Sequence, residues 1–347
     1  MYLQNAWYVA AWDHEIGDGP LARTLLNQKI VFFRAADKSV AALEDRCCHR
    51  AAPLSVGRVV DGLIECGYHG MVFNAAGKCV CVPSQETVPA TAFVRSYPVA
   101  VKHRWVWIWM GEPELADEAL IPDLYWHDHP KWKMLGDYFH VKCHYQELID
   151  VQLDNTHSKY VHPGSLGNDG AVATPPRVKL VGDKIHGSRH MAASDPPPIW
   201  RKAADYKLER ADYWLTWIYH APTVITFDVG IAEPGTGAFE GNRSKGITVY
   251  TDHGITPETD DTTHHFWTCS RDFRLEDEGL TKTLSGIRNT FLEDVAICEA
   301  QHATIAAFPG AKMVDISSDA PTIQARRLLR RMREREMAAA SESRASQ

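Results

Sequence analysis

The chain has 347 residues, long for one domain, and its 45% apolar and 10% aromatic content is enough to fill two cores. A formal charge of -7 and a pI near 6.2 offer no general polycation to phosphate backbones, which argues against nucleic acid and for small molecules or proteins as partners. The N-terminus lacks a basic start and is broken by Asn5, Trp7, Trp12 and Asp13, and no apolar run reaches the ~18 residues of a membrane helix, so the sequence reads as a cytoplasmic protein with no membrane association.

From Trp7 to about Met110, short apolar or alternating runs are separated by Gly, Pro, Asp and Asn. Ile30 to Phe33, Val40 to Leu43 and the alternation of Trp105, Trp107 and Trp109 are examples, and this part reads as all-β. The acidic, proline-containing stretch Gly111 to Asp123 changes the composition and sets the expected boundary between a domain of residues 1–112 and a second of 113–347. In the second, Trp214 to Tyr219, Val224 to Ile231, Gly246 to Thr251 and His264 to Cys269 alternate as strands of an antiparallel sheet. Glu276 to Ile305 and Pro321 to Met337 carry helical periodicity. The expected fold class is α+β, an all-β N-terminal domain followed by an antiparallel sheet with long helices. The small, polar residues 338–347 are expected to be a disordered tail.

Eight cysteines cluster too unevenly for a secreted disulfide framework and look more like metal ligands plus buried thiols. Cys47-x-His49 and Cys66-x-x-His69 each bring one thiolate and one imidazole, a division that suits a Rieske centre, where two cysteines hold one iron and two histidines the other. A small zinc site uses the same donors and Cys79 and Cys81 lie nearby, but two short pairs on separate loops with Pro53, Gly67 and Gly70 around them favour the [2Fe-2S] cluster. Cys79 and Cys81 then become same-facing strand residues with a packing role.

Downstream, Asp154-x-x-His157-x4-His162 places Asp154 and His157 three apart, on one face of a helix, with His162 near its end before Pro163. Two histidines need one carboxylate from elsewhere to make the facial triad of a non-haem Fe(II) oxygenase, which leaves positions open for O2. Asp294 lies inside an apolar helical stretch, where an unpaired carboxylate is costly and metal ligation would remove the cost.

With these residues in view, the chain resembles the Rieske non-haem iron oxygenases of the vanillate O-demethylase, dicamba demethylase and toluenesulfonate methyl-monooxygenase group. The likeness runs from Asn5-Ala-Trp-Tyr-Val-Ala10 through both metal motifs to Thr256-Pro-Glu-Thr259 and Arg271-Asp-Phe273. It implies a cluster on Cys47, His49, Cys66 and His69, an iron on His157, His162 and Asp294, and Asp154 as a carboxylate linking the iron-bound histidine of one subunit to a cluster histidine of the next in a head-to-tail homotrimer. Two departures stand out: Cys48 occupies the place where Pro is common, and Asp150-Val151 stands where Asp-Asn is frequent.

Among described nucleotide fingerprints, Gly235-Thr-Gly237 with Gly241 misses the dinucleotide pattern, so electrons are expected from a separate reductase or ferredoxin. The expected reaction is O2-dependent O-demethylation of a methoxylated, vanillate-like aromatic acid with release of formaldehyde. Aryl-methyl or ring hydroxylation are the rivals within the class, and an electron carrier or a zinc-stabilised module the rivals outside it. Trp214, Tyr219, Phe227, Asp228 and His253 are candidates for the pocket. His253 leads because the resemblance aligns it with a substrate-contacting position. The His264-His265 pair is expected to split between core and solvent, and the arginines from Arg326 to Arg333 to form a solvated helix face.

Overall fold

The structure is a computed structural model describing residues 2 to 345. The chain divides into two compact units, Met1–Asp123 with Thr256–Asp260, and Leu124–Ile255 with Asp261 onward. In the first, the strands β1 (Trp7–Trp12), β2 (Leu21–Leu25), β3 (Gln28–Arg34), β4 (Val40–Glu44), β5 (Arg58–Val60), β6 (Leu63–Glu65), β7 (Val72–Phe73), β8 (Cys79–Cys81), β9 (Ser96–Tyr97), β10 (Val99–Lys102) and β11 (Trp105–Trp109) follow in order. They build three sheets, β1-β11-β10, β2-β3-β4-β9 and β5-β6-β7-β8. The tryptophan alternation of β11 does not give a wet face. Val106 and Ile108 are as buried as the three tryptophans, and Trp105 and Trp109 meet Trp12 and Trp7 edge to face.

The acidic stretch after Gly111 stays with the first unit. Its two short turns, Pro113–Leu115 and Glu118–Leu120, flank Asp117, whose carbonyl accepts the indole N–H of Trp7 at 2.8 Å. Thr256–Asp260 belongs there too, since the Leu26 and Asn27 amides donate to Pro257 and Glu258 carbonyls.

The second unit contains β12 (Lys133–Val141), α1 (Tyr145–Leu153), α2 (Ser158–Val161), α3 (Asp169–Ala173), β13 (Arg177–Val181), β14 (Lys184–Ser194), α4 (Pro198–Ala203), β15 (Ala211–His220), β16 (Val224–Ala232), β17 (Gly246–Pro257), β18 (Thr263–Arg271), α5 (Glu278–Ser285), α6 (Ile287–Ala307) and α7 (Ala320–Ala345). Its seven strands form one antiparallel sheet ordered β12-β18-β17-β16-β15-β14-β13. The pairings Leu215 with Val229, Phe227 with Thr251 and Ile225 with His253 place these side chains on one face, because facing residues of antiparallel neighbours point the same way.

The helical stretch from Glu276 is two helices, parted at Gly286. On α6 the buried residues Ile287, Thr290, Phe291, Asp294 and Cys298 recur every three or four positions, so Asp294 sits on the stripe that faces the core. The expected disordered tail is corrected: α7 continues through Ala338, Ala339 and Ala340 to Ala345, as the high helix propensity of alanine allows, while Ser346 and Gln347 lie outside the described residues. Of the arginine face, Arg326 pairs with Asp150, and Arg333 donates to the Tyr145 hydroxyl at 2.7 Å; Leu328 and Leu329 are buried beneath.

Candidate metal centres

In the first unit, two loops of the same construction stand side by side in sequence logic. The amide of Cys47 donates to the Ala52 carbonyl and that of Ala51 returns to Cys47; the amide of Cys66 donates to the Met71 carbonyl and that of Gly70 returns to Cys66. Each loop turns through a left-handed residue, Ala51 at φ 57° and Gly70 at φ 71°. Gly70 adopts this without strain, whereas Ala51 holds a conformation that L-residues avoid. Cys47 and Cys66 are each 2% exposed, in the core with Leu54, Ile64 and Phe73. His49 and His69 are exposed, their rings 4.7 Å apart.

Two adjacent buried thiols and two adjacent outward imidazoles are the donor set that a Rieske cluster divides between its irons. Burial pushes the Cys47 thiol up to about 11, and its contact with Cys66 adds to this, so a metal is what would hold Cys47 as a thiolate. Cys48 is half-buried at the edge of the same core, and Cys79 is buried. Cys81 is exposed and not packed as expected, because β8 is three residues long and its second half lies at the surface.

In the second unit, His157 Nε2, His162 Nε2 and Asp294 Oδ1 converge, at 3.3 Å between the two nitrogens, 3.3 Å from His157 to Asp294 and 2.9 Å from His162 to Asp294. Donors bonded at about 2.1 Å lie about 3.0 Å apart on adjacent corners of an octahedron, so the trio fits one face of a six-coordinate first-row ion. Two histidines and one carboxylate are the donor set of a non-haem Fe(II) site, and an ion held there would keep coordination positions for small molecules.

The local chain differs from the single helix expected. α1 ends at Leu153, Asp154 is its C-cap in extended conformation, and α2 begins only at Ser158. The Asp154 carboxylate therefore does not reach His157 along a shared helix face. It accepts from the Thr156 amide at 3.0 Å and the Thr156 hydroxyl at 2.7 Å, while His157 Nδ1 donates to the Asp154 backbone carbonyl. Likewise His162 Nδ1 donates to Glu293 at 2.7 Å. Both rings are thus oriented through Nδ1 with Nε2 left for metal.

Gln152, on the buried side of α1, donates to Asp294 Oδ2 at 3.2 Å. Burial pushes the Asp294 carboxyl up, but its hydrogen bonds with His157 and His162 more than offset this and hold it well below the usual carboxylate range. For His162, burial works against the charged form, and the carboxylates of Asp294 and Glu293 overcome it to leave the ring above its ordinary value. Sequence reasoning missed Gln152 and Glu293. The available signal was a polar residue inside the apolar run of α1 and a second acid beside Asp294.

A cavity opens on the trio, with about 600 Å³ of unfilled space counting its mouth. Trp200, Leu215, Phe227, Val229 and Phe291 give it apolar walls, and Thr251, His253 and Asn155 supply polar atoms. Of the candidates named from the sequence, His253 and Phe227 line this cavity beside the trio. Asp228, Trp214 and Tyr219 do not. Asp228 lies on the other face of the sheet, clamped by Arg243 at 2.6 Å and the Trp214 indole N–H at 2.9 Å, and Tyr219 is buried with its hydroxyl on the Pro222 carbonyl. The His264-His265 pair is not split: both are buried, His264 with Tyr138 and His265 with His253.

Residues 141–335 match the family of vanillate O-demethylase oxygenase C-terminal domains, and residues 6–98 match the Rieske [2Fe-2S] domain. The chain is 40% identical to the toluene-4-sulfonate monooxygenase system iron-sulfur subunit of Comamonas testosteroni over 96% of this chain and 97% of that one. It is 37% identical to the vanillate O-demethylase oxygenase subunit of a Pseudomonas species, over 98% and 97%. The crystal structure of dicamba monooxygenase bound to dicamba is similar at a TM-score of 0.88, with 31% identity over 97% of this chain and 99% of that chain.

Proposed function

Because the chain belongs to the Rieske non-haem iron oxygenases of the vanillate O-demethylase family, we propose that it oxidises the methoxy carbon of a vanillate-like aromatic acid and releases formaldehyde. It is the oxygenase component of a Rieske monooxygenase, an oxidoreductase. The observation that carries the substrate reading is the cavity, whose apolar walls suit a ring and whose polar atoms, His253 above all, suit an acid group while the reacting carbon is held at the iron site. When bound, the iron activates O2 and the cluster supplies its electrons.

The residues of this chain then divide the work. Cys47, His49, Cys66 and His69 hold the cluster. His157, His162 and Asp294 hold the iron, oriented by the Asp154 carbonyl, Glu293 and Gln152. The apolar walls keep bulk water from the reacting carbon and fix which C–H bond lies nearest. Hydroxylation of a methoxy carbon gives a hemiacetal, which breaks down to a phenol and formaldehyde. Asp154 is read as the bridging carboxylate of a head-to-tail homotrimer, a role for which the exposed His49 and His69 offer accessible partners. Electrons reach those loops from a separate reductase or ferredoxin. Eight unpaired cysteines suit a reducing compartment, the cytoplasm, and among the described residues no helix is long and apolar enough to cross a membrane.

Hydroxylation of an aryl methyl group is the second reading, favoured by the higher identity to the toluene-4-sulfonate subunit than to the vanillate subunit. The two are separated by supplying a reductase and comparing methoxybenzoates with methylbenzoates and toluenesulfonate. Formaldehyde matching the O2 consumed supports demethylation. A benzylic alcohol from the methyl acids, with only peroxide from the methoxy acids, replaces it with the second reading.

A further inference from the structure

His253 and His265 stand on the neighbouring strands β17 and β18, 1% and 0% exposed, with rings edge to edge at a centroid distance of 5.2 Å and an interplanar angle of 21°, and Nδ1 of His253 2.9 Å from Nε2 of His265. Phe227 and Phe291 meet the His253 ring edge to face at 5.6 and 4.9 Å, which holds it in place. With Nδ1 engaged, Nε2 is the nitrogen of His253 left for a molecule in the cavity. Nδ1 of His265 is buried without a hydrogen-bond partner among the described residues. Burial pushes both rings toward the neutral form, His265 down to about 4 and His253 well below its ordinary value.

Two neutral imidazoles share one proton at their contact, and its placement decides what His253 presents. If His253 donates, His265 must carry its own proton on the buried, unpartnered Nδ1, and both rings adopt the Nδ1–H tautomer. If His265 donates, its orphan Nδ1 is a bare lone pair, and both rings adopt the Nε2–H tautomer that free neutral histidine prefers. Orphaned buried N–H groups are the rarer kind, so both considerations favour the second arrangement.

We infer that His265 is a positioning residue: it donates to His253 and so fixes His253 as an N–H donor toward the cavity, which selects a substrate group that only accepts hydrogen bonds, such as a carboxylate or sulfonate. This rests on the reading of the cavity as an aromatic-acid site.

The test is equilibrium binding to the full-length, metal-loaded protein without O2, with 3-methoxybenzoate as the accepting probe and neutral 3-methoxyaniline as the donating one. His265→Leu removes the partner. His265→Gln restores a hydrogen bond but, since its amide can offer either end, not its direction. Both variants are expected to bind 3-methoxyaniline more tightly, so that the preference for the benzoate falls by about tenfold, on the scale of one net hydrogen bond. A merely structural role predicts that Gln restores wild-type preference, and that result, or unchanged preference in both variants, overturns the inference. His253→Phe separates the layers: benzoate binding that survives it unchanged defeats the reading of the pocket itself, whereas weakened binding there beside wild-type preference in the His265 variants defeats only the role of His265.

Discussion

The two metal-binding regions are built to opposite plans. Around Cys47 and Cys66 the thiols are inside and the imidazoles of His49 and His69 outside, on two short loops stabilised by their own backbone hydrogen bonds. Around Asp294 the carboxylate and His162 are buried, and each imidazole is gripped through its outer nitrogen. Outward imidazoles suit exchange of electrons with another protein at the surface, while a hydrogen-bonded trio with two of its three members buried, beside an apolar cavity, suits chemistry shielded from water. A small local change should therefore be tolerated by the loops more readily than by the trio.

The sharpest break between the regions is Asp294→Ala. It should cost more than the roughly 100-fold that loss of an outer partner costs, abolishing turnover and the mononuclear iron while leaving the visible cluster spectrum intact. Joint loss of both metals on analysis would show that the regions are not independent. Asp154→Asn should come next. The backbone carbonyl that orients His157 survives the change, so both metals should stay, yet stopped-flow transfer from reduced cluster to iron should slow because a neutral amide accepts from a cluster imidazole more weakly than a carboxylate does. A normal transfer rate would remove Asp154 from the electron path.

A smaller effect is expected of Glu293→Gln, which weakens the grip on His162 and should lower iron affinity by about tenfold, read by chelator competition. The same trio sets a pH dependence. His162 titrates above its ordinary value in the absence of metal, so protons compete for its nitrogen earlier than for a free histidine, and iron affinity should begin to fall as the pH drops through neutrality. Affinity that stays flat down to pH 5.5 would contradict this. Least of all should change in Cys48→Ser: the residue is half-buried, and cluster content and stability should remain within about 0.5 kcal/mol of wild type in a denaturation series.

The contrast also explains what could be read in advance. The cluster ligands fall within loops of six residues, so their spacing alone carried the motif, and strands such as β15 and β16 showed in their alternation. The iron site joins residues 132 apart, His162 and Asp294, and only the cost of a carboxylate in an apolar helix pointed to the third ligand. The helix break at Asp154 was hidden because the apolar run of α1 continues smoothly into the motif, and no Gly or Pro marks its end. Asp228 was misplaced because neighbours in a strand face opposite sides: Phe227 enters the cavity and Asp228 meets Arg243. The edge strand β13 and its neighbour β14 carry charges and exposed residues that blur their alternation.

The most direct test of the division between an electron-supplying region and an oxidising one is a single turnover. Protein reduced chemically, freed of reductant and mixed with O2 and 3-methoxybenzoate should show the oxidised cluster spectrum returning in step with formaldehyde. In Asp294→Ala the cluster should reoxidise without any formaldehyde. Formaldehyde formed at the wild-type rate by that variant, or wild-type cluster reoxidation with no oxidised product from methoxy or methyl acids alike, would contradict the account.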